Sequence, residues 1–206
     1  DGLNVLLDIY FSEGRITRTL HKDHLVFEVR TKFKPTVELT RNGTLNWNTI
    51  LESQSECVER NNMIVKTTKT LVKIGRTVLI LTKRIKQAEY LVEQLLSLGI
   101  NVSGLFGTTQ SFNKDCDVLV GTSAKIGVGF DHSNLDCLVL ASDLEQYFIQ
   151  YLGRVFRNPD TTPVVVDFID DHPTLKKHYQ TRKKTYINIG GRVVKVSLEE
   201  LHLKLN

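Results

Sequence analysis

The sequence predicts an α/β protein built on a parallel sheet, and three features of the chain point that way. From Thr77 onward short apolar runs recur, separated by stretches long enough for a helix or a loop: TVLILT (77–82), INVSGLFG (100–107), CDVLVGT (116–122), DCLVLAS (136–142) and PVVVDFID (163–170). These runs are apolar throughout rather than alternating, which marks strands buried on both faces of a parallel sheet. Between the first two, Ile85, Ala88, Leu91, Val92, Leu95 and Leu96 recur at helical spacing, and Gly99 stands at the C′ position that ends such a helix. In sheets of this kind the working residues sit just past the carboxyl ends of the strands. Thr82, Thr122 and the stretch after Ser142 occupy that position.

The elements before Thr77 are less regular. Leu3 to Phe11 is amphipathic and is followed by a break at Gly14. Residues 24–33 (HLVFEVRTKF) alternate well enough for a strand that Pro35 ends. Asn42-Gly43 is a two-residue hairpin signal. From Asn48 to Ile74 the pattern is helical, in two pieces expected to break near Asn61-Asn62. Thr82 is a plausible N-cap for the helix that follows the first apolar run. There is no internal repeat and no low-complexity tract.

The stretch Ser142 to Pro159 (SDLEQYFIQYLGRVFRNP) carries the first functional signal. Ser142 and Glu145 have capping-box spacing, so a helix is expected just after Ser142, and Asn158-Pro159 should stop it. Leu144, Tyr147, Phe148, Tyr151, Leu152 and Val155 share one face. Gln150, Arg154 and Arg157 gather on the opposite side, within roughly 60° of arc. A guanidinium is planar and permanently charged, and it suits phosphate better than an ammonium does.

Further on, residues 172–187 read as a basic helix, and RVVKVS with LEELHLKLN as a strand and a short helix. Lys176, Lys177, Arg182, Lys183 and Lys184 either contact a phosphate backbone or form a solvated face.

Composition bounds the function classes. At 206 residues the chain can bury a substantial core, and 41% apolar with 24% charged residues is ordinary for a globular protein. A net charge of +4 permits a nucleic-acid partner without requiring one. Cys57, Cys116 and Cys137 are few, far apart and odd in number, which argues against a disulfide framework or a zinc site and for a reducing compartment. No apolar run approaches the ~18 residues of a membrane span, and no signal peptide is visible. The sequons at Asn42 and Asn101 are then expected to be chance. A chain that opens on Asp1 reads as a piece of something longer.

With the elements placed, VLILTKRIKQAEYL resembles the fourth motif of superfamily 2 helicases, VLVGTSAKIGVGFD the fifth and QYLGRVFR the sixth, in order and on the expected elements. The opening DGL is similar to the sequence that follows the first motor domain in the XPB-like and large-DNA-virus branch, to which poxvirus transcript-release helicases belong. The resemblance implies that residues 1–171 form the second RecA-like motor domain, with 1–75 as lead-in elements and 76–171 as the sheet core, and that 172–206 form a small C-terminal α/β extension. It implies ATP with Mg²⁺, shared with a preceding N-terminal RecA-like domain of the same chain. Arg154 and Arg157 would be arginine fingers, with Gln150 positioning nucleotide and attacking water. Gly127 and Gly129 would let backbone approach the nucleotide, and Asp131 would bind its ribose. Thr82, Lys83, Arg84, Gly107, Thr108 and Thr122 would hold a nucleic-acid backbone. Contacts of that kind are sequence-independent, and DNA is favoured because of the branch. For a viral protein of that branch, the location would be the cytoplasm.

Absent motifs narrow the expectation. There is no G-x-x-x-x-G-K-[ST] and no acidic D-E-x-x box, and KIGRT (73–77) has the wrong spacing. The chain by itself is expected to hydrolyse little or no ATP. No G-x-G-x-x-G opens a helix after a strand, which makes a dinucleotide enzyme a poor fit. Two alternatives stay open: a translocase that moves on duplex without separating strands, and a non-catalytic module whose arginine helix docks an acidic partner.

Overall fold

A computed structural model of the chain describes residues 20–127, 132–144 and 148–205. The amphipathic segment Leu3 to Phe11, Gly129, Asp131, Glu145 and Tyr147 lie outside the described residues. The strands are β1 (His24–Arg30), β2 (Val78–Thr82), β3 (Val102–Leu105), β4 (Val118–Thr122), β5 (Cys137–Leu140), β6 (Val164–Ile169) and β7 (Gly191–Val196). The helices are α1 (Trp47–Glu56), α2 (Val58–Lys73), α3 (Ile85–Ser97), α4 (Ser123–Ile126), α5 (Phe148–Val155), α6 (Pro173–Asn188) and α7 (Leu198–Leu205).

The seven strands form one sheet in the order β3-β4-β2-β5-β6-β1-β7. Every neighbouring pair is parallel. Alternate strand residues feed two cores, as a period of two requires. Val78, Ile80, Val118, Val120, Val139 and Val166 pack with α2, α3 and α7 on one face. Leu79, Leu81, Leu119, Leu138, Leu140 and Val165 pack with α4, α5 and α6 on the other. This is the three-layer arrangement of a RecA-like α/β fold, as the continuous apolar runs predict. β1 lies inside the sheet between β6 and β7, although its sequence neighbours are elsewhere. The chain leaves β2 toward one edge and β5 toward the other, so the gap between their carboxyl ends is the crevice where such sheets bind ligands.

Several local expectations are corrected. The helical pair breaks at Cys57, not at Asn61-Asn62: Cys57 is extended, and Asn61 lies buried in α2 with its amide donating to the Ser55 carbonyl at 2.7 Å. A sequence reader takes Asn-Asn as a break because asparagine favours turns, but a buried amide with a partner is stable in a helix. Thr82 does not cap α3, because Arg84 holds the N-cap position and makes no side-chain capping bond. Ile85 and Leu96, assigned to the buried face of α3, are largely exposed. The Asn42-Gly43 turn forms as expected, with Gly43 at φ +73°, Leu39 bridging to Leu45, and the Thr40 N–H donating to the Thr44 carbonyl at 2.7 Å. The helix expected after Ser142 is described from Phe148 onward, and its capping box with Glu145 falls outside the described residues.

The helix at 173–188 departs most from the sequence reading. Leu175, Tyr179, Arg182 and Tyr186 form its buried face. Arg182, taken as part of a basic surface, is 2% exposed. Hydropathy hides this face, because two tyrosines and an arginine supply most of its area. Among the described residues no helix is long and apolar enough to cross a membrane. The three cysteines are free thiols, and burial pushes the Cys116 and Cys137 thiols up and leaves them inert.

Candidate functional site

The carboxyl ends of β2 and β4 bring Thr82, Lys83, Arg84 and Thr122 to one edge of the sheet. At β2, Thr82 is fully buried and its hydroxyl donates to the Arg84 carbonyl at 3.3 Å. Lys83 is exposed and Arg84 half-buried, its guanidinium donating to Asn48 Oδ1 at 2.8 Å. The first-turn N–H groups of α3 meet no side-chain cap, and a helix N-terminus in that state favours an anion. Lys83, Arg84, Ile85 and Lys86 line one side of a groove of about 390 Å³, and Glu52 and Ser55 of α1 line the other. Burial lowers the Lys83 amine from its ordinary value, and the Asp143 carboxylate works against that shift.

In the β3–β4 connection no helix forms, as the short FGTTQSFNKD turn predicts. Gly107 has φ +58°, and Thr108 is exposed beside it. The Lys125 ammonium donates to the Thr109 carbonyl at 3.2 Å and ties this turn to α4. Thr122 occupies the N-cap of α4 but its hydroxyl makes no capping bond. Capping therefore does not account for it.

α5 presents its two faces as the sequence predicts. Phe148, Tyr151, Leu152 and Val155 are buried, with Leu144 ahead of them. Gln150 is exposed and Arg154 half-buried on the opposite face; the helix ends at Val155 rather than at Asn158-Pro159, so the exposed Arg157 lies just past it. A Cβ added at Gly153 would meet nothing within 4 Å. The Tyr151 hydroxyl donates to the Ser123 carbonyl at 2.8 Å and fixes α5 to the segment after Thr122. Gly127 is helical there, and an added Cβ would press on Ser123 O at 3.3 Å. At the other end of α5 the Lys22 ammonium donates to the carbonyls of Phe156 and Asn158, a favourable place for a cation.

Between these groups runs buried polar wiring that the sequence reading missed. Ser142 Oγ accepts from the Lys83 N–H at 3.0 Å and donates to Gln87 Oε1 at 2.7 Å, so it bridges the crevice between β2 and β5. Arg60, wholly buried, donates through Nε to both Asp170 oxygens at 2.9 Å and through Nη1 to the Ala141 carbonyl at 2.5 Å. Arg182 grips Asp167 through Nε and Nη2 at 2.8 and 2.9 Å, and its Nη1 reaches Asp143 Oδ1 and the Leu144 carbonyl. The one visible signal was Asp167 inside an apolar strand, since a buried carboxylate demands a cation. Its partner, distant in sequence, could not be named. Among the described residues, no group of three or more His, Cys, Asp or Glu could hold a metal ion.

A parallel RecA-like sheet flanked by helices on both faces defines the class of this protein. Comparison of sequences places it more narrowly. It is 42% identical over 213 residues to the helicase-named protein 161L of Invertebrate iridescent virus 6, covering 94% of this chain and 48% of that protein. It is 42% identical to protein 108L of Invertebrate iridescent virus 3, covering 48% of this chain and 94% of that one. It is 33% identical to the helicase-named protein 055L of Frog virus 3, covering 76% of this chain and 36% of that protein. The chain belongs to the family of these iridovirus proteins, and it spans about half or less of the two that carry helicase names. No family model matches it. Among solved structures, T4 UvsW shares the fold with a TM-score of 0.62 at 17% identity, covering 89% of this chain and 43% of that one. The C-terminal domain of S. cerevisiae Dbp5 shares it with a TM-score of 0.59 at 14% identity, covering 89% and 97%. The same protein has been solved bound to RNA and ADP–BeF₃, with a TM-score of 0.56 at 16% identity and 89% and 44% covered.

Proposed function

We propose that the chain is the C-terminal motor domain of an ATP-dependent superfamily 2 helicase, which works with a preceding RecA-like domain of the same protein. The observation that carries this reading is α5. Gln150 and Arg154 stand on one face of a helix whose other face is anchored in the core of a RecA-like sheet, and Arg157 follows two residues past its end. The open space around Gly153 leaves that face clear for close approach by another body. The helicase names of the 161L and 055L proteins support the reading.

The substrate is ATP with Mg²⁺, gripped in the cleft between the two domains. Two permanent cations fit the charge that develops on a transferring phosphoryl group, and an arginine finger contributes ~10³–10⁵ in rate. Arg154 and Arg157 supply that charge, and Gln150 orients the attacking water. The preceding domain supplies the phosphate loop and the metal ligands. Gly127 and Gly129 are assigned to close backbone approach to the nucleotide, and Asp131 to its ribose. Along the strand ends, the Lys83 and Arg84 side chains, the α3 N-terminus, the Gly107–Thr108 turn and Thr122 hold nucleic-acid phosphates. Such contacts read no base edge, so binding is independent of sequence and steep in salt. DNA is the favoured partner. Closure of the domains on ATP and reopening after hydrolysis would shift the two phosphate grips against each other.

The test is steady-state ATPase of the full-length protein with and without DNA. A DNA-stimulated rate that falls ~10³-fold or more in Arg154→Ala supports the reading. An unchanged rate means that the arginine helix serves a partner instead.

A further inference from the structure

We propose that Arg182 is a positioning residue for the arginine helix, acting through Asp143 and the Leu144 carbonyl on the segment that feeds α5. The proposal rests on the reading of α5 given above. Asp143 and Leu144 stand between the end of β5 and the start of α5. The ladder last holds the incoming chain at Ala141, whose N–H donates to the Leu81 carbonyl at 2.9 Å. Beyond that, polar side chains fix each residue. Ser142 is tied to the Lys83 N–H and Gln87. Asp143 accepts from Arg182 Nη1 at 2.7 Å on one oxygen and from His178 Nδ1 at 2.6 Å on the other. Leu144 buries its side chain and gives its carbonyl to Arg182 Nη1 at 2.9 Å.

The stoichiometry of the contacts separates positioning from simple charge burial. Asp167 in β6 already neutralises Arg182 with a two-toothed grip, and Tyr186 steadies that carboxylate from 3.0 Å. Fold stability needs no second carboxylate there. Nη1 nevertheless carries two further bonds, both to the segment that leads into α5. Only a guanidinium can do this: its donors point in fixed directions in one plane, whereas an ammonium is a point charge on a flexible stem. The rigid fork thus transmits the position of the sheet at Asp167 to Asp143 and Leu144, on the chain between β5 and α5. His178 braces Asp143 from the same helix, and its ring lies 5.2 Å from Trp47 at the start of α1. Arginine fingers act only when held within a fraction of an ångström of the transferring phosphoryl group, and a misplacement of about 1 Å can cost ~10² in rate.

The experiment uses the full-length protein and compares Asp143→Ala, Asp143→Asn and Arg154→Ala for DNA-stimulated ATPase, with thermal melting of each. Arg182 is left in place because its removal would strand two buried carboxylates. In Asp143→Ala it stays neutralised by Asp167, so the fold survives. The expected result is a kcat lowered by about 10- to 100-fold with KM for ATP within about twofold, because ground-state binding does not need the fingers. Asp143→Asn keeps an oxygen for Nη1 and should restore most of the rate. A wild-type kcat in Asp143→Ala, beside a collapsed Arg154→Ala, overturns the positioning role and leaves the motor reading standing. A loss of rate that follows a loss of melting temperature and that Asp143→Asn does not restore shows a merely structural contact and also overturns it. An unchanged Arg154→Ala removes the motor reading and this inference with it.

Discussion

At the scale of single residues, buried charge decides more than surface charge does. Arg182 and Arg60 are both essentially unexposed, and each serves two segments far apart in the chain. Removing one partner of a buried pair costs ~3–5 kcal/mol, because the remaining charges stay desolvated. Arg182→Met should therefore lower the unfolding free energy by about that amount in a urea titration, whereas Lys177→Ala, exposed on the same helix, should stay within about 0.5 kcal/mol. Acid should find the same network. Burial alone would raise the Asp143 and Glu28 carboxyls. The His178 and Arg182 hydrogen bonds to Asp143, and those of Tyr179, Arg30 and Lys183 to Glu28, more than offset it and hold both below the usual carboxylate range. A carboxylate depressed in the folded state contributes stability above its unfolded pKa and loses it as pH falls through the folded one. Burial lowers the His24 and His202 imidazoles, so the urea midpoint should begin to fall below about pH 6.5; the carboxylates add a steeper fall below about pH 4, which Asp143→Asn should flatten.

At the scale of elements, α5 and the start of α3 carry the functional expectations. Glycine within a helix costs ~1 kcal/mol relative to alanine. Gly153 is helical with open space where a Cβ would stand, so nothing in this domain requires it. Gly153→Ala should raise the thermal midpoint of the isolated chain, and if another body closes on that face it should lower the ATPase of the full-length protein. A variant that gains stability and keeps full activity would sink the close-approach argument. The uncapped N-terminus of α3, with Lys83 and Arg84, makes a separate forecast. Nucleic-acid affinity should fall linearly on a log–log plot against salt, and Lys83→Ala should reduce that slope by about one without changing preference among sequences.

At the scale of the whole molecule, the last 35 or so residues are bound into the sheet. β7 pairs with β1 along His24 to Val29, and α6 supplies the counter-charge for Asp167. A chain that stops after Asp171 should expose that strand edge and strand the Asp167 carboxylate. It should be recovered insoluble or bind hydrophobic dye strongly, and the whole chain should do neither. Local periodicity and hydropathy encode much of the framework. The five strands from β2 to β6 announce themselves as apolar runs, and α3 by spacing and its closing glycine. The division of α5 into an anchored face and an arginine face follows from 100° per residue. Tertiary structure alone decided the partners. Cys57 breaks the helical pair because Asn61 finds a buried acceptor. Ser142 bridges β2 and β5 through Lys83 and Gln87, and Arg182 turns inward because Asp167 and Asp143 await it. Periodicity states which face of an element is buried, but not what it meets there. A buried polar group is stable only through a partner 15 to 39 residues away, as Arg182 shows, or 110 residues away, as Arg60 shows.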